Sequence, residues 1–315
     1  MRPKSKSNVL PRLPSGARAA IVRLRSLGDC VLTTPAIRLL KETRPDLEIA
    51  IVVEPRFAPI FANNPDIDQI LNPDLTSVAR FRPELTLNLH GGARSVQLTV
   101  ASRARWRAGF AHFRLQSIYN VRIPRAQEIL NSERKVHTAE HLASAMFFLG
   151  VPFADIPRAR LFAGKMPTAN IPSAPAYAVI HPAASASDKT WPAERFLEIA
   201  SYLQHQLSLD PVFIAGPDES LAPFEQYRTV SGAPLEQIKS LLAGATLFVG
   251  NDSGPAHMAA AFGVPVVVLF GSSDPDIWSP WKTEAVVLRS DDGIASIATD
   301  QVINAISTFA ALAVT

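Results

Sequence analysis

The segment from Thr246 to Phe270 constrains the fold of this chain more than any other. An apolar run ends at Val249, and Gly250-Asn251-Asp252-Ser253-Gly254-Pro255-Ala256-His257-Met258 follows. Small apolar residues continue to Phe262, Gly263 stops them, and a second apolar run covers Val264 to Phe270. The pattern predicts strand, turn, helix, strand. Asp252 and Ser253 are good N-cap types, and Pro255 falls in the first turn, where its missing N–H does no harm. Gly254 leaves room for a ligand to approach the backbone. The free N–H groups and positive end of such a helix suit a phosphate. A well-capped core helix would carry several of the same signals, so the rest of the chain has to decide.

The alternation recurs on both sides of this segment. Strands are predicted at Ala19–Leu24 (interrupted by Arg23), Leu47–Val53, Ile67–Leu71, Glu84–Leu89 and Trp106–Phe110. The turn Arg25-Ser26-Leu27-Gly28-Asp29 leads into helical spacing at Leu32, Ala36, Leu39 and Leu40. That helix begins either at Thr34-Pro35 or at Asp29 with a bend at Pro35. His90-Gly91-Gly92 is a glycine-rich turn into a helix ending near Ser102; 111–135 reads as loops, and a helix from His137 is stopped by Gly150. Five prolines between Val151 and Ala176 read as a linker. The pattern then restarts with strands at Tyr177–Ile180 and Pro211–Ala215, helices at Ala193–Leu207 and Leu235–Ala243, a strand at Ala285–Leu288 and a last helix from Thr299. Strands alternating with helices imply α/β architecture with doubly wound, mostly parallel sheets. The expected organisation is a disordered basic tail over 1–18, one domain over 19–165 and a second over 166–315. The last helix is a candidate for packing back on the first domain.

At 315 residues, 47% of them apolar, the chain can fill two cores. No apolar run reaches the roughly 20 residues of a membrane span. The start lacks the apolar stretch of a secretory signal, and the single cysteine, Cys30, excludes an internal disulfide framework. No cysteine or histidine cluster has zinc spacing. Charge is distributed unevenly: residues 1–150 hold 22 Lys/Arg against 12 Asp/Glu, whereas 151–315 hold 9 against 16. Leu85 to Gln127 contains seven arginines and no acid. The first half is therefore expected to meet something anionic. Nucleic acid is the least favoured partner, because base-stacking aromatics are sparse there.

Taken in order, Arg25-Ser26-Leu27-Gly28-Asp29 with Thr33-Thr34-Pro35-Ala36, His181-Pro182 with Lys189-Thr190-Trp191-Pro192, Gly216-Pro217-Asp218-Glu219, Asn251-Asp252-Ser253-Gly254-Pro255 with His257, and Phe270-Gly271 with Asp274-Pro275 form a specific set. The chain resembles glycosyltransferase family 9, the lipopolysaccharide heptosyltransferase family, from Ala19 to Trp281. The resemblance implies the GT-B fold, two Rossmann-like domains facing across a cleft. It assigns acceptor binding to the first domain and nucleotide-sugar binding to the second. It further implies sugar transfer with inversion at the anomeric carbon. The residue pair Ala183-Ala184 and the short stretch from Glu219 to Leu235 depart from the family pattern, the latter near where the nucleotide base would sit.

The resemblance makes Asp29 the candidate catalytic base, since inversion needs a carboxylate to take the proton of the attacking hydroxyl. Lys189 would face the donor pyrophosphate and offset charge on the leaving group without a metal. Ser185 and His257 could donate to phosphate, as would the backbone of Ser253 and Gly254. Asp252, an anion, would orient the loop. Glu219 matches the position that accepts the ribose hydroxyls. Arg25, Arg56 and Arg94, with Arg103, Arg105 and Arg107, are acceptor-side candidates, Arg25 and Arg94 foremost. The expected donor is ADP-heptose, with no cofactor and no metal. The expected acceptor is an anionic lipid-linked saccharide of the lipopolysaccharide core type. The protein is expected to be a cytoplasmic monomer, peripheral to the inner membrane face, its basic tail a further contact for that surface. A transferase for another nucleotide sugar, a sugar-nucleotide epimerase and a non-catalytic sugar-nucleotide-binding protein are the alternatives.

Overall fold

Runs of Val, Ile and Leu become the buried strands of two parallel sheets in the computed structural model, which describes residues 8–164 and 176–310. The contacts divide the chain into two units, Met1–Phe162 and Ala163–Thr315. In the first, β1 (Arg18–Val22), β2 (Glu48–Val52), β3 (Gln69–Leu71), β4 (Leu85–Asn88), β5 (Trp106–Phe110) and β6 (Val121–Ile123) lie in the order β3-β2-β1-β4-β5-β6. Its helices are α1 (Leu27–Thr43), α2 (Ala58–Phe61), α3 (Leu75–Phe81), α4 (Ala93–Ala101), α5 (Ala126–Leu130) and α6 (Thr138–Leu149).

The second unit holds β7 (Tyr177–His181), β8 (Asp210–Ala215), β9 (Arg228–Ser231), β10 (Leu247–Asn251), β11 (Val266–Phe270) and β12 (Ala285–Arg289). Its helices are α7 (Ala193–Gln206), α8 (Leu235–Ala243), α9 (Gly254–Phe262), α10 (Pro275–Trp278) and α11 (Thr299–Ala310). The strand order β12-β11-β10-β7-β8-β9 repeats that of the first sheet. Each order reverses once, between β1 and β4 and between β7 and β10. Loops leaving the carboxyl ends of those strands diverge to opposite faces and leave a crevice. The sequence motifs fall on loops at the carboxyl ends of strands, after β1 in the first unit and after β7, β8, β10 and β11 in the second.

Local chemistry resolves the ambiguity around Pro35. The helix starts at Leu27 and runs through the proline. Pro35 has no N–H for the Val31 carbonyl, and the Thr34 hydroxyl donates to that carbonyl instead, at 2.8 Å. The Thr34 oxygen in turn accepts the backbone N–H of Arg160 at 3.1 Å.

Several expectations need correction. Residues 8–18 are not a loose tail: Val9 and Leu10 are buried. The Asn8 N–H donates to the Phe148 carbonyl, and Arg44 donates to the carbonyls of Leu10 and Pro14. Apolar Val9, Leu10 and Leu13 inside a basic stretch are the physical cause; residues 1–7 lie outside the described set. The span 111–135 contains β6 and α5 as well as loops. Strands β6 and β9 escaped the sequence reading because each is three or four residues long, with exposed or half-exposed positions alternating. The proline-rich segment is irregular as far as it is described, yet Val151, Ile156, Ala159 and Leu161 are buried. Its remainder, 165–175, lies outside the described residues. The last helix places Val302, Ala305 and Ile306 in the core of its own unit with Phe196, Leu203 and Leu269, so its apolar face is already occupied there.

Candidate functional site

In the first unit the site grows from the end of β1. Ser26 is the N-cap of α1, and Asp29 is its third helical residue. The Ser26 hydroxyl donates to Asp29 Oδ2 at 3.0 Å, and the Ser26 N–H reaches the same oxygen at 3.4 Å. The other oxygen, Oδ1, lies 3.3 Å from Nη1 of Arg23, whose side chain is only 8% exposed against 23% for Asp29. Arg23 Nε has no hydrogen-bond partner among the described residues. Burial pushes the Arg23 pKa down, and the Asp29 charge opposes that shift. A buried guanidinium thus lies beside one oxygen of a carboxylate that stays partly accessible.

Other groups gather around this pair. His90 follows β4, and burial, then Arg23 and Arg25, hold it below the ordinary imidazole range. On α6, burial, then His112 and Arg23, lower His141 to about 4. It stacks on Phe110 with centroids 4.1 Å apart. These imidazoles are neutral near neutral pH and can donate or accept hydrogen bonds there. The turn after β4 is shaped from below by Asn88. Its amide donates to Ser95, Thr99 and Tyr119, and its oxygen accepts the N–H groups of His90 and Gly91. Gly91 has φ +80, and a Cβ there would lie 2.7 Å from the Phe113 ring. Cys30, beside Asp29, is buried with its thiol pushed up to about 12, an inert packing residue.

Of the arginines expected to meet an acceptor, Arg25 shares this electrostatic neighbourhood, through His90. Arg56 is ion-paired to Glu54 at 3.0 Å and lies over the Phe57 ring. Arg94, exposed at the start of α4, donates to the Pro73 carbonyl at 3.1 Å. The cluster at 103–107 is a correction: β5 is parallel to β4, so Arg103 and Arg105 precede it at the opposite end of the sheet from Asp29. Arg107 is held by the carbonyls of Ile118 and Ala104.

In the second unit His181, at the end of β7, is the hub. Its Nδ1 is 3.0 Å from Ser253 Oγ, and its Nε2 is 3.2 Å from Glu219 Oε2. Glu219 also accepts the Gly216 N–H at 2.6 Å. Those bonds, led by His181, lower its pKa below the usual carboxylate range. Asn251 fastens a third loop, donating to the Pro182 carbonyl at 2.7 Å and accepting the Trp191 N–H at 3.2 Å. Lys189 sits in the loop so held, half-buried. A Cβ on Gly271 would fall 2.0 Å from the Asp188 carbonyl oxygen, so glycine is needed for this loop to pack.

Ser253 occupies the N-cap of α9, but its hydroxyl makes no bond to its own helix and turns to His181. Asp252 does not cap either. It accepts a 2.6 Å bond from Ser273, and burial raises its pKa against the pull of Ser273 and then Lys189. The start of α9 at Gly254 therefore keeps backbone donors without a side-chain acceptor, which is the arrangement an anion uses. His257 is buried in the first turn. Ser185 is exposed and makes no hydrogen bond among the described residues. No three His, Cys, Asp or Glu side chains gather as a metal-binding group among the described residues.

Arg23 is an organising residue that sequence reasoning did not select, whereas His181 and Asn251 stood among the motif residues without a role of their own. A charged residue interrupting an otherwise apolar strand was the available signal for Arg23.

Solved structures share this architecture. The glycosyltransferase family 9 protein of Veillonella parvula superposes with a TM-score of 0.81 at 22% identity, covering 93% of this chain and 97% of that one. The Escherichia coli ADP-heptose lps heptosyltransferase II superposes with a TM-score of 0.79 at 17% identity, covering 95% and 100%. Two doubly wound units of this kind make the chain a protein of the GT-B class. The model of glycosyltransferase family 9 (heptosyltransferase) matches residues 80–300, and the chain belongs to that family. Among curated proteins, lipopolysaccharide heptosyltransferase 3 of E. coli K12 is 26% identical over 296 residues, 84% of this chain and 85% of the relative.

Proposed function

We propose that this glycosyltransferase moves a heptose from ADP-heptose to an anionic, lipid-linked saccharide of the lipopolysaccharide core type, with inversion at the anomeric carbon. The first unit (19–165) would bind the acceptor and the second (166–315) the donor. The observation that carries the reading is Asp29: a carboxylate with one oxygen held by Ser26, the other facing a buried cation, at the switch point of the acceptor unit. The names of the relatives, heptosyltransferases of lipopolysaccharide, supply the donor and acceptor classes.

In the proposed reaction the acceptor hydroxyl attacks the anomeric carbon from the face opposite the nucleotide. Asp29 takes its proton as the new C–O bond forms. The bond from the anomeric carbon to the diphosphate oxygen breaks, and ADP leaves with the electron pair. Backbone N–H groups at Ser253 and Gly254, Lys189, and His257 would stabilise the charge on that diphosphate. Ser185 would add a hydroxyl donor. Glu219, its carboxylate aligned by His181 and Gly216, would accept from the ribose hydroxyls, and Asp252 would hold the loop through Ser273. Arg25, Arg56 and Arg94 would meet anionic groups of the acceptor. No metal or other cofactor enters this scheme. The protein would work as a monomer at the cytoplasmic face of the inner membrane; among the described residues no helix is long and apolar enough to cross it.

The test is transfer from ADP-heptose to a core acceptor by wild type and Asp29→Asn. The variant should bind ADP-heptose normally in a thermal-shift titration and lose transfer by roughly a hundredfold to ten-thousandfold. Undiminished transfer would remove Asp29 as the base. Binding without transfer in wild type would favour a sugar-nucleotide-binding protein, and a thermal response only to other nucleotide sugars would reassign the donor.

A further inference from the structure

The first unit carries a second basic feature that the proposed chemistry does not use. At the amino ends of its strands, opposite Asp29, an open concavity of about 990 Å³ is lined by Arg18, Arg80, Arg82 and Arg103. The last three are exposed, and none of the four is in an ion pair among the described residues. Arg82 and Arg103 both have φ +51, so two arginines hold left-handed turns that asparagine or glycine usually fills. The Arg18 guanidinium lies over the Phe81 ring at 5.9 Å. Three carboxylates border the feature: Glu84 accepts the Arg18 N–H, Glu48 lines the adjoining groove, and Asp74, the N-cap of α3, lies within reach of the Arg80 charge. The balance stays positive.

Apolar groups flank the arginines. Leu75, which lines the concavity, is 55% exposed, and Val100, next to the lining Ala101 on α4, is 52% exposed. Beside Arg103, the half-exposed Trp106 has the guanidinium of Arg12 at 5.7 Å and that of Arg105 at 5.5 Å from its ring. Unpaired arginines with the exposed Leu75 in the lining, and Val100 and Trp106 adjoining the lining residues Ala101 and Arg103 along the chain, match the layers of a bilayer interface. Phosphates meet the cations, the acyl boundary meets Leu75 and Val100, and Trp106 sits between. A soluble polyanion would engage the arginines but give no reason for the exposed leucine and valine.

We infer that this arginine-lined concavity, with Leu75, Val100 and Trp106, is the surface by which the protein docks on an anionic phospholipid bilayer. The inference rests on the membrane-peripheral part of the reading above and assigns it to one face.

The experiment is co-sedimentation of the full chain with phosphatidylethanolamine vesicles containing phosphatidylglycerol, against vesicles of phosphatidylcholine alone. Wild type should partition onto the anionic vesicles only. Arg80→Gln, Arg82→Asn and Arg103→Asn together should lower that partitioning roughly a hundredfold, since each basic residue at an anionic surface contributes about a fivefold factor. These positions are exposed, and asparagine suits a positive φ, so folding should survive. Arg114→Gln, Arg122→Gln and Arg125→Gln remove the same charge from exposed positions elsewhere in the unit and should change partitioning far less. Leu75→Ser with Val100→Ser should weaken it severalfold at constant charge. Equal losses in the two arginine triples would mean net charge alone, and overturn the assignment. Full binding by the Leu75/Val100 variant would mean a site for phosphate groups rather than a bilayer, and overturn it too. Failure of wild type to bind would sink the membrane-peripheral reading with it, while transfer to a delipidated acceptor would still report on the transferase.

Discussion

Arg23 shows how much of this site depends on one charge placed where a strand would ordinarily carry an aliphatic residue. Desolvating a guanidinium costs several kcal/mol unless something repays it, and the only ion pair it makes among the described residues is with Asp29. If Asp29 is the base, Arg23 is a positioning residue that steadies one carboxylate oxygen while Ser26 holds the other. Arg23→Gln should then lower kcat by roughly tenfold to a hundredfold with the KM for ADP-heptose little changed, because the carboxylate can turn away from the attacking hydroxyl. Arg23→Lys should restore most of the wild-type kcat. An unchanged kcat in a glutamine variant that melts like wild type would reduce Arg23 to a packing role. Asp29 was singled out by the resemblance at its Gly-Asp turn; its partner was not legible, because a lone arginine in an apolar run says nothing about where the guanidinium goes.

At the scale of elements, loops rather than helices decide the site, and glycines decide the loops. Gly271→Ala should drive a Cβ into the Asp188 carbonyl and displace the Lys189 loop. Transfer measured as kcat/KM for the donor should fall between roughly tenfold and a hundredfold, with Lys189 itself intact. The α6 helix offers a pH test. His141 titrates at about 4 in the folded chain, against an ordinary 6.5. The folded state therefore resists protonation that the unfolded state accepts, and stability is lost as pH falls from 6.5 towards 4. His141→Phe keeps a ring for Phe110 to stack on and should flatten the fall of Tm across that window. An unchanged slope would mean that other groups set it. Periodicity made the long, buried elements readable, α1, α7 and α9 among them. It missed β6 and β9, where edge strands of a few residues have one exposed side and no continuous apolar run. It also could not see that Thr34 would stand in for the amide that Pro35 lacks.

For the molecule as a whole, the parallel, doubly wound character of both units was recoverable from alternation, since parallel strands require crossover connections, whereas the order of the strands was not. What sequence could not separate was which arginines belong to which end of the first sheet. Arg103 and Arg105 read as acceptor contacts until the parallel register sent them to the far edge. The charge asymmetry has its own consequence for kinetics. With 22 basic against 12 acidic residues in 1–150 and the reverse excess beyond, an anionic acceptor should be drawn by a field that salt screens. Raising salt from about 0.05 M to about 0.5 M shortens the screening length severalfold. The acceptor KM should rise severalfold over that range, more steeply than the donor KM; equal slopes would argue against a charged acceptor. The proposed donor side contrasts with this for a reason visible in Asn251, whose one amide is tied to Pro182 and Trp191 while His181 joins Ser253 to Glu219. Those loops are held by bonds made within the unit itself, so their ordering entropy is spent when the chain folds. A nucleotide bound there, as proposed, would meet a finished mould.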